Sequence, residues 1–116
     1  MDIKTIQQRL RKFAEERNWE QFHSPKNLSM ALAAEAAELL EIFQWLNEKQ
    51  SKDIVNSEKD MAQVKEEIAD VFIYLMRLAD KLNIDIEKEV LAKIALNEKR
   101  YPIDLSKNNA TKYNRR

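Results

Sequence analysis

Glu35, Glu38, Glu67 and Asp70 form two acid pairs of equal spacing, Glu35-Ala-Ala-Glu38 and Glu67-Ile-Ala-Asp70. On a helix, a separation of three residues puts both members of a pair on one side. With Glu35 at the origin of a wheel turning about 100° per residue, Leu28, Ala31, Leu32, Leu39, Ile42 and Leu46 fall within about 60° of it. Glu35 therefore stands in the middle of an apolar stripe, with Glu38 on its margin and Glu41 turned further toward water. The second pair repeats the pattern: Val64, Val71, Tyr74, Leu78 and Leu82 surround Glu67, and Asp70 takes the marginal place. Unpaired carboxylates turned inward are costly, and several close together repel one another. Hard divalent cations compensate such a cluster. Mg²⁺ in particular takes one or two carboxylates, waters and phosphate oxygens, with Mn²⁺ as a possible substitute. The alternative is an ion-paired cluster, for which Arg77 and Lys81 flank Asp70 on the wheel.

These acids need helices to carry them, and the sequence supplies helices throughout. Ile3, Ile6, Leu10 and Phe13 recur at helical steps and predict a first helix over residues 2–17. Ser24 followed by Pro25 has the form of an N-cap and first helical position, opening a second helix to Leu46. The polar stretch Asn47 to Asn56 reads as a loop. Ser57 with Asp60 opens a third helix carrying the apolar period from Met61 to Leu82, which Asn83 ends. Asp85 caps a fourth, bearing Ile86, Val90, Leu91 and Ile94 and stopping near Pro102. The expected architecture is all-α: a small four-helix bundle in one domain over residues 1–105, with a polar tail at 106–116.

Composition narrows the chemistry. The 116 residues contain no glycine, which excludes the glycine-rich phosphate loop and the dinucleotide-binding turn. They contain no cysteine and a single histidine, His23, so disulfides, thiolate chemistry, multi-histidine zinc sites and histidine-ligated di-iron bundles are excluded as well. Twenty basic residues balance twenty acidic ones, and nothing marks the chain as a binder of nucleic acid or of anionic membranes. Met1 to Leu10 lacks the apolar core of a signal peptide, and no stretch approaches the roughly 20 apolar residues of a membrane span. A cytoplasmic location is expected.

Together with Trp19-Glu-Gln-Phe-His23, Asn27-Leu28, Glu41-Ile-Phe-Gln-Trp45, Asp70-Val-Phe-Ile-Tyr74 and Asn97-Glu-Lys-Arg-Tyr-Pro102, the two acid pairs resemble the MazG-like all-α nucleoside triphosphate pyrophosphohydrolases, in particular the dCTP pyrophosphatase branch. The likeness runs over roughly residues 17 to 113. It implies Mg²⁺-dependent cleavage between the α- and β-phosphates of a (deoxy)nucleoside triphosphate, giving the monophosphate and pyrophosphate. It also implies assembly as a homodimer or homotetramer, with sites near the subunit contacts. The segment Asn47 to Asn56 varies within the family and carries no substrate preference over to this chain.

In this reading Glu35, Glu38, Glu67 and Asp70 ligate the metal, and Glu38 also orients the attacking water. Lys93, Asn97 and Arg100 form one polar ridge on the fourth helix. The resemblance takes Lys93 and Arg100 to the β- and γ-phosphates, with Tyr101 nearby and Asn97 toward the sugar or base. The alternative for this ridge is a solvated helix face. Trp19, Phe22, His23, Trp45 and Tyr74 are the aromatic candidates for stacking a base, and the resemblance places His23, Trp45 and Tyr74 nearest it. The competing reading for the whole chain is a helical interaction module whose acids are salt-bridged to a partner and which does no chemistry.

Overall fold

The computed structural model describes residues 1–115. Six α-helices follow in order: α1 Ile3–Glu16, α2 Pro25–Phe43, α3 Glu48–Asp53, α4 Glu58–Lys81, α5 Ile86–Arg100 and α6 Ile103–Ser106. Short 3₁₀ turns lie at Glu20–Phe22, Ile54–Asn56 and Tyr113–Arg115. The described residues are helical or irregular, without strands, in keeping with the all-α expectation. None of these helices is long and apolar enough to cross a membrane.

Cap chemistry sets the helix starts. Asp2, Ser24, Ser57 and Asp85 each accept a hydrogen bond from the backbone N–H three residues on, satisfying a donor the first turn leaves open. Helix ends are set by asparagine, since the chain has no glycine for left-handed positions. Asn18, Asn83 and Asn108 all have positive φ. At Asn18 both bonds of a Schellman turn form, Asn18 N–H to Glu15 C=O at 3.1 Å and Trp19 N–H to Ala14 C=O at 2.9 Å. The stretch expected to be a loop is instead largely helical. Asn47 accepts from Gln50 N–H at 2.8 Å while Gln50 Oε1 accepts from Asn47 N–H at 3.0 Å, a reciprocal capping box that opens α3 and requires α2 to end at Phe43, before the predicted Leu46.

The chain divides into two compact units, Met1 to Asn83 and the residues from Ile84 onward. In the first, α2 lies along α4 and α1 packs on α4 as well. Leu28, Val64, Met76, Ala14 and Ala79 are buried there, together with one charged side chain, Arg77. This core is small. Leu40 on α2 is 62% exposed and Ile68 on α4 is 53% exposed, which leaves broad apolar surface uncovered on a single chain. In the second unit the Tyr113 ring packs edge-on against Tyr101, 5.9 Å between centroids, and lies under the Arg100 guanidinium at 4.5 Å. The polar tail is thereby fastened to the end of α5.

Candidate metal centre

The packing of α2 along α4 brings the two inward glutamates face to face. Glu35, Glu38 and Glu67 each offer a carboxylate oxygen, and these atoms all lie within 4.8 Å of one another. Glu35 and Glu67 are half-buried and Glu38 is exposed, the ranking expected for the centre and margin of the stripe. Asp70, also half-buried, stands outside that set and lines a cavity between α1 and α4.

Electrostatics follow from this crowding. Competition with the facing Glu67 carboxyl for a proton, then burial, then Glu38 and the charge of Asp70 push Glu35 up from 4.5 to about 7. The facing Glu35 carboxyl pulls Glu67 down, but burial, Glu38 and Asp70 outweigh it, and Glu67 is raised as well. One oxygen of each, Glu35 Oε2 and Glu67 Oε2, is buried with no hydrogen-bond partner. None of the four acids is ion-paired among the described residues. Arg77 and Lys81 go instead to Glu20, Arg77 at 2.7 Å, and Arg77 also approaches Asp80 at 3.6 Å. The pairing of these acids with Arg77 and Lys81 therefore does not form among the described residues. Two orphaned, buried carboxylate oxygens in an all-oxygen donor set fit a hard divalent cation.

The cavity that Asp70 lines has a volume of about 340 Å³ and is walled by Phe13, Trp19, His23, Tyr74 and Arg77 among others. Trp19 meets Phe13 edge-on at 5.6 Å and His23 at 6.3 Å. Three of the predicted base-binding residues, Trp19, His23 and Tyr74, thus share one wall system with an acid. Trp45 does not join them. It lies just beyond α2, 86% exposed, and Phe22 is 58% exposed. Lys93, Asn97, Arg100 and Tyr101 lie on α5 and at its end, in the second unit. Sequence periodicity missed Arg77 and Glu20 as members of the site. Arg77 is read from the wheel as a neighbour of Asp70, whereas its partners come from the short turn before α2.

Fold and cluster together define an all-helical protein organised around an acidic centre. Residues 30–115 match the MazG-like family. Over 101 residues the chain is 44% identical to dCTP pyrophosphatase 1 of Rattus norvegicus and 43% identical to that of Homo sapiens, covering 87% of this chain and 59% of each relative. It therefore spans little more than half the length of these curated relatives. A solved pyrophosphatase from Archaeoglobus fulgidus DSM 4304 superposes with a TM-score of 0.81 at 39% identity, covering 88% of this chain and 94% of that one. The chain belongs to the MazG-like family.

Proposed function

We propose that this chain is a nucleotide pyrophosphohydrolase, dependent on Mg²⁺ or Mn²⁺, that converts a (deoxy)nucleoside triphosphate of dCTP type and water into the monophosphate and pyrophosphate. The observation that carries this reading is the Glu35, Glu38 and Glu67 cluster with its two buried, unpartnered oxygens. The names borne by its relatives support it. Glu35, Glu38, Glu67 and Asp70 would hold the metal, which when bound neutralises the site, draws in the triphosphate and polarises its phosphoryl oxygens. Exposed Glu38 is the acid with access to bulk water and orients the attacking molecule toward the α-phosphorus. Trp19, His23 and Tyr74 receive the base in the cavity, and Trp45, exposed on this chain, is assigned to the base together with a neighbouring subunit. The test is pyrophosphate release from a panel of canonical and modified nucleotides with Mg²⁺ and with EDTA. Activity is expected on cytosine deoxynucleotides, abolished by EDTA and reduced at least about tenfold in Glu38→Gln. A well-folded protein inactive on the whole panel would return the chain to the interaction-module reading.

Lys93 and Arg100 are assigned to the β- and γ-phosphates with Tyr101 nearby, and Asn97 to the sugar or base. Lys93→Ala is expected to raise KM or lower kcat by about tenfold or more, and an unchanged variant would leave that ridge a solvated face. The uncovered apolar residues of α2 and α4 support a homodimer or homotetramer in the cytoplasm, with no membrane or nucleic-acid partner. Light scattering at micromolar concentration should give a multiple of 13.7 kDa. A protomer mass would remove the oligomer.

A further inference from the structure

Arg77 is 2% exposed, the one charged residue buried among those described. Its Nε–H reaches His23 Nδ1 at 3.3 Å, and its terminal NH2 group lies 3.2 Å from the same atom while donating to Glu20 Oε1 at 2.7 Å. A guanidinium only donates. His23 Nδ1 must therefore present its lone pair, which places the ring's proton on Nε2 and leaves the imidazole neutral. Protonating Nδ1 would set an N–H against two N–H groups beside a full positive charge. Burial, then the charge of Arg77, accordingly hold His23 below its ordinary value. The ring lines the cavity, and Nε2–H has no hydrogen-bond partner among the described residues.

We propose that Arg77 is a positioning residue that locks His23 as a neutral Nε2–H donor, so that the cavity selects a base presenting an acceptor atom on its edge. This rests on the pyrophosphohydrolase reading for its substrate, though not for the state of the ring. Cytosine offers such acceptors at N3 and O2; uracil keeps O2 and O4 as acceptors but carries N3–H, so the donor separates the two where it meets N3, setting a donor against a donor there. A polar group left unpaired in such a site is rejected far more strongly than a misfit in shape. Glu20 completes the device by holding Arg77 in place, with Lys81 on its other oxygen.

Because the chain has one histidine, its imidazole spectrum is unambiguous. Long-range ¹H–¹⁵N correlation on the full chain at neutral pH is expected to show Nε2 protonated and Nδ1 bare. In Arg77→Met the two tautomers should interconvert, and KM for a cytosine triphosphate should rise about tenfold with kcat held within about twofold. Arg77→Lys, which retains a donor, should recover part of that loss. Glu20→Gln, whose amide oxygen can still accept from Arg77, should lower stability while the tautomer stays. A wild-type ring protonated at Nδ1, or an Arg77→Met protein with tautomer and KM unaltered, overturns the proposal, and the first of these needs no variant to fold. If the wild type hydrolyses no nucleotide, the pyrophosphohydrolase reading fails while the spectrum still decides what Arg77 does.

Discussion

Glu35→Gln is expected to cost at least about a hundredfold in turnover and, at the same time, to give a more stable metal-free protein. The loss follows from removing the acid at the centre of the cluster. Disturbing groups that merely support a metal ligand already costs about 10- to 100-fold, and removing a ligand costs more. The gain follows from the same crowding. Glu35 faces Glu67 and Glu38 within 4.8 Å, and an amide at position 35 relieves that repulsion while it can donate to the orphaned Glu67 oxygen. Allowing for screening by water at the open side of the cluster, relief of about 1 kcal/mol raises the Tm by about 4 °C. Thermal unfolding in EDTA, run beside a pyrophosphate-release assay, reads both effects. Equal loss of stability and activity would mean that Glu35 serves the core and not the chemistry.

A second large effect is the pH dependence of stability with and without Mg²⁺. Glu35 is raised from 4.5 to about 7 in the folded chain, so between those values the folded state binds more protons than the unfolded state. Stability from this group is complete below about 4.5 and is lost as pH climbs through about 7, the slope following the difference in bound protons. Glu67 shifts in the same direction. Mg²⁺ competes with those protons and should reverse the trend, since it binds the ionised cluster and only in the folded state. At a hundredfold excess over Kd the ion adds about 2.7 kcal/mol, or about 10 °C in Tm, on the alkaline side of the transition and little on the acid side. A scanning series in EDTA and in Mg²⁺ across that range checks it. A metal shift that is equal at both ends would detach the ion from Glu35.

What the sequence made legible depended on how local the cause was. Ser24, Ser57 and Asp85 announce helix starts because the cap acts within three residues of itself. The inward turn of Glu35 and Glu67 was readable because a wheel needs only neighbours on one helix, and the packing of α2 on α4 then completes the pair. The helix at Glu48–Asp53 was overlooked for a different reason. Its polar composition suggests a loop, although Asn47 and Gln50 carry the spacing of a capping box. The wheel brings Arg77 beside Asp70, but its actual partners are beyond any period, since its hydrogen bonds span 54 and 57 residues to His23 and Glu20. Trp45 shows the opposite limit. Periodicity continued α2 through it, but Asn47 starts a new helix and leaves the indole facing water.

The glycine-free joints have an entropic consequence. Asparagine at position 18 samples fewer backbone states than glycine would before folding, so the corner costs less entropy to form. The segment bearing Trp19 and His23 is delivered from that corner at a fixed angle, its first two amides already tied back to α1. Presenting the aromatic wall therefore takes less ordering at this corner than a glycine joint would demand.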